Sequence, residues 1–216
     1  DRLNCMIEAI IFDLDGVIVD SEKLKASSWS EIFKKYNVPV QGNEWYRERI
    51  GHHGRELCSE AIKTFGISRD VDELFKEQVD CSKELESYAE VIPSTISFIK
   101  SLKGNYRLGV ASSNYRDVIE GHLIRNGILN YFDVVTSGVE EVKRNKPAPD
   151  IYLLTAKKLE VDPSKSIGIE DTSAGIEAVK AAGMKCIGFI NFNSGDQDLS
   201  KADITTDNLL KISLGA

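Results

Sequence analysis

The chain has 216 residues, 42% hydrophobic and 28% charged, with 27 basic against 34 acidic side chains and a formal net charge of -7. Against a prior of roughly 150 residues per domain, this length predicts one full core plus a smaller attachment, and the composition excludes disordered, collagen-like and disulfide-scaffold chains. The acid excess, with no clustered basic block, predicts no nucleic-acid partner and no membrane partner, and no apolar run approaches the roughly 20 residues of a membrane helix.

The opening Asp1-Arg2-Leu3-Asn4 leads into no signal-peptide core. Cys5, Cys58, Cys81 and Cys186 are scattered without zinc-site spacing, which predicts reduced thiols and a cytoplasmic location. The first apolar run, Ile7 to Phe12, is continuous rather than alternating and predicts a strand buried on both faces. It ends in Asp13-Leu14-Asp15-Gly16-Val17. By itself this is a solvated turn. Read as chemistry, Asp13 presents a nucleophile, Asp15 one turn onward is a general acid and base, and Gly16 lets the backbone turn sharply.

Over the next 72 residues, 20–91, no strand is predicted, only helices around Ser21 to Tyr36, Arg55 to Phe65 and Val71 to Tyr88. That is too long for one crossover helix, so the interval is expected to form its own helical bundle inserted into a core made of 1–19 and 92–216.

From about residue 92 strand and helix alternate. Strands are predicted at Arg107 to Ala111, Val134 to Thr136, Ser166 to Ile169 and Cys186 to Ile190. Helical spacing lies between them at Val118, Ile119, Leu123 and Ile124, at Ile151, Leu154 and Leu159, and at Ile176, Val179 and Met184. The alternation predicts an α/β fold, a Rossmann-like open parallel sheet with helices on both faces.

In such a sheet ligands bind beyond the carboxyl ends of the strands. The second predicted strand leads into Ser112-Ser113-Asn114, which is a helix N-cap and can also be a phosphate cradle. After the third comes Lys146-Pro147-Ala148-Pro149-Asp150, where Lys146 is a solvated loop residue unless carboxylates converge on it. The fourth leads into Glu170-Asp171, a helix cap or a pair of hard oxygen ligands for Mg²⁺. If the ends converge, Asp13, Asp15, Glu170 and Asp171 share one crevice. Each like-charge pair at about 4 Å then costs on the order of 4 kcal/mol at an effective dielectric near 20. A bound Mg²⁺ together with Lys146 is the cation such a crevice requires.

With those residues assembled, the chain resembles the haloacid dehalogenase superfamily of phosphatases and phosphomutases. The pattern D-x-D-G-V at Asp13 to Val17, the serine Ser112, K-P-x-P-D at Lys146 to Asp150 and E-D at Glu170-Asp171 follow its four motifs in order. The place of the helical insert, Asp20-Ser21-Glu22 and the stretch Ala178 to Met184 resemble the beta-phosphoglucomutase-like subfamily, whose insert is a cap over the core. The resemblance implies that Asp13 forms an aspartyl-phosphate and that Asp15 protonates the leaving oxygen and then activates water or an acceptor. It implies that Mg²⁺ is held by Asp13, the Asp15 main-chain carbonyl and Asp171, with Glu170 binding directly or through water. Ser112 and Lys146, with Ser113 and Asn114 beside them, would hold the phosphoryl oxygens.

True dehalogenases lack the second aspartate, so Asp15 argues against carbon–halogen chemistry. Phosphonatases alter the first motif and carry a cap lysine, and Asp13 to Val17 fits the phosphatases better. Beta-phosphoglucomutase and many relatives carry a histidine ten residues after the second aspartate, where this chain has Lys25. The loop Ile50-Gly51-His52-His53-Gly54-Arg55 resembles the subfamily's substrate-facing cap loop, which makes Lys25, His52, His53 and Arg55 candidates for substrate selection. The expectation is a Mg²⁺-dependent phosphatase for a small phosphorylated metabolite, a sugar phosphate, with cap closure excluding water. A phosphomutase is the alternative within the family, and a non-catalytic phosphate-sensing domain is the alternative outside enzymology.

Overall fold

Ala9–Phe12 is apolar and buried along its whole length, so it needs cover on both faces and a strand on either side. The computed structural model, which describes residues 7–50, 52, 54–86 and 89–214, supplies both. In chain order the elements are β1 (Ala9–Phe12), β2 (Val19–Asp20), α1 (Glu22–Lys35), α2 (Gly42–Arg47), α3 (Gly54–Phe65), α4 (Val71–Glu86), β3 (Glu90–Val91) and α5 (Pro93–Leu102). They continue with β4 (Arg107–Ser112), α6 (Arg116–Arg125), β5 (Val134–Ser137), α7 (Asp150–Leu159), β6 (Ser166–Glu170), α8 (Ser173–Ala181), β7 (Lys185–Phe189) and β8 (Ile204–Thr206).

Six strands form one sheet in the order β5-β4-β1-β6-β7-β8, while β2 pairs with β3 in a separate ribbon. Every pairing in the large sheet is parallel. This is the expected α/β, Rossmann-like architecture. The chain runs outward from β1 through β4 to β5, then returns to build β6, β7 and β8 on the other side, so the strand order reverses at β1. Such a switch point opens a crevice beyond the carboxyl ends of the strands. Against the sheet, Ile151, Tyr152, Ala156 and Leu159 of α7 and Ile176 and Val179 of α8 pack in one buried cluster with Ile11 and Ala111.

The chain divides into two compact units, one made of the chain up to Asp20, Val91–Phe192 and the chain from Asp196 on, the other of Ser21–Glu90 and Asn193–Gly195. The second has its own core. Ala26, Trp29, Ile32 and Phe33 recur at helical spacing on α1 and meet Trp45, Leu57, Ala61 and Leu74. Aromatic rings fill its centre, with Trp29 and Trp45 centroids 4.9 Å apart and Phe33 5.1 Å from both Trp45 and Phe65. Outside this core, Glu77 on α4 accepts hydrogen bonds from Lys35 Nζ at 2.8 Å, Tyr36 Oη at 2.6 Å and Arg69 Nε at 3.1 Å. The Lys35 and Tyr36 bonds, with that from Arg69, hold the Glu77 carboxyl at about 2, below the usual range.

Several elements differ from expectation. The first strand begins at Ala9 rather than Ile7, and the later ones take in the polar residues Ser112, Ser137 and Glu170, because the ladders Ser112 to Ser137 and Glu170 to Gly188 pair backbone groups regardless of side chain. The fifth predicted strand is Lys185–Phe189 and stops before Ile190. Also unexpected were β8, a three-residue edge strand with Thr205 exposed, the six-residue α2, and the two short strands β2 and β3 at the ends of the interval expected to lack strands. All are too short to show a period. Ile124, placed on the apolar face of α6 by its spacing, is 61% exposed. Tyr88 of the third predicted helix lies outside the described residues. Among the described residues no helix is long and apolar enough to cross a membrane.

Because Glu77 ionises more readily in the folded than in the unfolded chain, its contribution is full above the unfolded value near 4.5 and fades as pH falls through about 2. Glu77→Gln is expected to lower stability at neutral pH by about 1 kcal/mol, with the gap to wild type closing across that acid range. Denaturant unfolding followed by tryptophan fluorescence checks this, since both tryptophans lie in this unit.

Candidate active site

The pairings of β1 are level on both sides, Phe12 standing opposite Val110 of β4 and Ile169 of β6. The next residue of each strand therefore falls in one row, Asp13 beside Ala111 and Glu170. Asp13 N donates to Ile169 O at 3.0 Å, carrying the ladder into the loop. Glu170 is the last residue of β6 and fully buried, and Asp171 follows it at 2% exposure. One carboxylate oxygen from each of Asp13, Glu170 and Asp171 lies within 4.8 Å of the other two.

Lys146 reaches into this group. Its Nζ donates to Asp13 Oδ1 at 2.6 Å and to Ala111 O at 3.2 Å, lies 2.6 Å from Glu170 Oε1, and sits 5.3 Å from the centre of the Tyr152 ring. Burial pushes the Asp13 carboxyl up to about 7, with Glu170 and Asp15 adding to the rise and Lys146 opposing it. Burial alone would lower Lys146, but Asp13 and Glu170 outweigh it and hold the ammonium above the usual lysine range. Tyr152 Oη donates to Glu170 Oε1 at 2.6 Å and Thr172 Oγ1 to Glu170 Oε2 at 3.2 Å. Burial, reinforced by Glu170, keeps the Tyr152 hydroxyl well above its usual value, so it stays a donor.

Two glycines make room for the acids. Gly16 has φ +78°, and a Cβ there would lie 1.8 Å from Asp171 Oδ2. At Gly175, in the first turn of α8, a Cβ would lie 1.9 Å from Glu170 Cδ. The Gly16 turn is held by its own N–H donating to Val19 O at 2.7 Å and by Asn191 Nδ2 donating to its carbonyl at 2.9 Å.

Asp15 lies near enough to Asp13 to raise its carboxyl, and its Oδ2 accepts from Asn114 Nδ2 at 2.9 Å. Ser112, at the end of β4, is fully buried and accepts from Asn114 N at 3.2 Å, whereas Ser113 is exposed. So Asp13, Glu170, Asp171 and Lys146 come together, and Asp15, Asn114 and Ser112 form a second linked set.

The cap candidates stand in the other unit. Lys25 Nζ donates to Glu22 Oε1 at 2.9 Å, and Tyr46 Oη donates to the other oxygen of Glu22 at 2.9 Å. Arg55 pairs with Asp72 and lies over the Phe75 ring. His52 is exposed, and His53 lies outside the described residues. Sequence reasoning passed over Tyr152, Thr172, Ser137 and Asn191. Tyr152 carried a signal, a hydroxyl within the buried stripe Ile151, Tyr152, Thr155, Ala156, Leu159 of α7 that has to find a polar partner.

Three buried carboxylates converging from two strand ends are a hard oxygen donor set, and Asp171 occupies space that any side chain at residue 16 would fill. That set fits a divalent cation bound through oxygen, one of the kind that retains several waters.

The family model for haloacid dehalogenase-like hydrolases matches residues 10–189. A phosphorylated carbohydrates phosphatase of Thermotoga maritima is 34% identical over 187 residues, 84% of either chain. The beta-phosphoglucomutase of Bacillus subtilis is 30% identical over 192 residues, 84% of this chain and 83% of that one. The crystal structure of a CbbY mutant from Rhodobacter sphaeroides in complex with xylulose-(1,5)bisphosphate matches with a TM-score of 0.81 at 27% identity, covering 94% of this chain and 95% of that one.

Removing one partner of a buried ion pair costs about 3–5 kcal/mol, so Lys146→Met in a chelating buffer is expected to lose stability on that order near neutral pH. Without the ammonium the Asp13 carboxyl rises further above its unfolded value. The loss should therefore grow as pH rises through about 7 and shrink toward pH 5, where Asp13 takes up a proton. Thermal unfolding across that range checks the slope.

Proposed function

Because the chain belongs to the haloacid dehalogenase-like hydrolase family, we propose that it is a Mg²⁺-dependent phosphatase acting on a small phosphorylated metabolite, a sugar phosphate, through an aspartyl-phosphate at Asp13. The observation that carries this reading is the Lys146 ammonium lodged between Asp13 and Glu170 at the carboxyl ends of adjacent strands. The relatives support the substrate class, a phosphorylated carbohydrates phosphatase among them.

Lys146 draws the phosphoryl group to Asp13 and, with the Ser112 hydroxyl and the backbone N–H groups after β4, holds its equatorial oxygens. The Asp13 carboxylate attacks phosphorus in line, and the bond from phosphorus to the sugar oxygen breaks as Asp15 gives that oxygen a proton. Asp15, now ionised, takes a proton from a water that attacks the phosphoenzyme. The bond from phosphorus to Asp13 breaks, inorganic phosphate leaves, and both aspartates return to their starting forms. When bound by Asp13, the Asp15 carbonyl, Asp171 and Glu170, Mg²⁺ supplies positive charge that offsets repulsion between the nucleophile and the phosphate dianion. Tyr152 donates to the Glu170 oxygen that also meets Lys146, and Thr172 to the other, so together they hold Glu170 in place and keep the acidic group assembled.

A phosphomutase is the second reading, favoured by the 30% identity to the Bacillus beta-phosphoglucomutase. Lys25, standing where the resemblance places a histidine in the mutases, favours hydrolysis.

Wild type with Mg²⁺ is expected to release phosphate from an aryl phosphate at saturation, Asp13→Asn to lose at least about a thousandfold in kcat, and Asp15→Asn about a hundredfold or more in kcat through the step in which Asp15 activates water. Equal rates in wild type and Asp13→Asn remove Asp13 as nucleophile. Glucose 1-phosphate supplied with a hexose 1,6-bisphosphate should yield free phosphate, and its isomerisation with none released replaces the phosphatase by a mutase.

A further inference from the structure

The sequence places Asn114 among the phosphate-binding groups, yet its side-chain amide has another partner. Nδ2 donates to Asp15 Oδ2 at 2.9 Å, ninety-nine positions away along the chain. Asn114 is also held at both ends of its backbone. Its N–H donates to Ser112 Oγ at 3.2 Å, and its carbonyl accepts from Ser137 Oγ at 2.7 Å.

Ser137 is itself fixed. It is fully buried at the end of β5, its N–H donates to Glu141 Oε1 at 2.9 Å, and its hydroxyl accepts from Glu140 N at 3.3 Å. Arg116 and Lys158 both pair with Glu141. A continuous hydrogen-bonded path therefore runs from an ion-pair cluster beside β5, through Ser137 and Asn114, to the Asp15 carboxylate.

We propose that Asn114 is a positioning residue for Asp15, whose amide grips Oδ2 and so assigns the transferable proton to Oδ1. The inference rests on the phosphatase reading for the step it serves. An amide NH₂ group only donates, and a proton on the oxygen facing it would set two donors against each other. Protonated Asp15 therefore carries its hydrogen on Oδ1, and that hydrogen goes to the leaving oxygen as the phosphorus–oxygen bond breaks. Deprotonated Asp15 keeps the same orientation for taking a proton from water. One fixed contact serves both half-reactions.

A residue that acts through a general acid matters when the leaving group needs a proton and little when it does not. The value of kcat/KM covers steps only up to formation of the phosphoenzyme, so dephosphorylation does not enter it. Asn114→Ala is expected to lower kcat/KM for a hexose phosphate by about thirtyfold or more. For 4-nitrophenyl phosphate the loss should stay within about threefold, and inhibition by inorganic phosphate within about twofold of wild type. Ser137→Ala should show the same imbalance at smaller size, because it loosens Asn114 without touching Asp15.

Equal losses on both substrates with weaker phosphate inhibition overturn the proposal, since the amide would then be holding phosphate. If wild type turns over neither substrate, it is the phosphatase reading that fails. The contact is then decided by NMR of the Asn114 side-chain amide protons, which are expected to shift between wild type and Asp15→Ala. Unmoved signals overturn it independently of activity.

Discussion

A single buried ammonium makes the rest of the site possible. Three carboxylates within 4.8 Å of one another repel, and none of the three is exposed enough for water to screen them. Lys146 answers this by touching two of the acids and the Ala111 carbonyl while its charge faces the Tyr152 ring. The loop that carries it is therefore as much part of the core's stability as of its chemistry. On the proposed reading, a substrate phosphate brought to Asp13 would enter a site where the cation is already in place, leaving little reorganisation for the reacting moment.

The sheet explains why such an arrangement is reached from distant residues. Parallel strands paired in level register end together, so the residues at the carboxyl ends of β1, β4 and β6 are delivered to one row without further guidance. Local backbone then does the fine placement. The left-handed turn at Gly16 clears the space taken by Asp171, and the absent side chain at Gly175 lets the first turn of α8 pass close to Glu170. The acids sit as they do because two neighbours have no side chain.

Much of this was legible in the sequence, and the rest was hidden for identifiable reasons. Continuous apolar runs betrayed β1, β4, β5, β6 and β7, because strands buried on both faces carry no polar alternation. The edge strand β8 and the short α2 escaped because three and six residues cannot display a period. Among site residues, Asp13, Glu170 and Asp171 announced themselves as charges at the ends of apolar runs, whereas Lys146, in a loop, gained meaning only beside those carboxylates. Tyr152, Ser137 and Asn191 did not, since a hydroxyl in a buried helix face, a serine ending a strand and an asparagine in a loop gain meaning only from what they touch. Asn114 was noticed for its position before a helix, and its partner Asp15 was beyond the reach of any local pattern.

The separation between Asp13 and Glu170 has a consequence for how the chain is made. Synthesis runs at roughly 5–20 residues per second, so β1 leaves the ribosome roughly ten to thirty seconds before β6 does. For the greater part of that interval β1 lacks both neighbours, and once β4 has emerged it still lacks β6, so Asp13 is without the far wall of its crevice. An aspartate cannot be buried without its ammonium at reasonable cost, and an apolar strand cannot stay in water indefinitely. The growing core must therefore hold its first strand in a provisional, hydrated state until the last motif emerges.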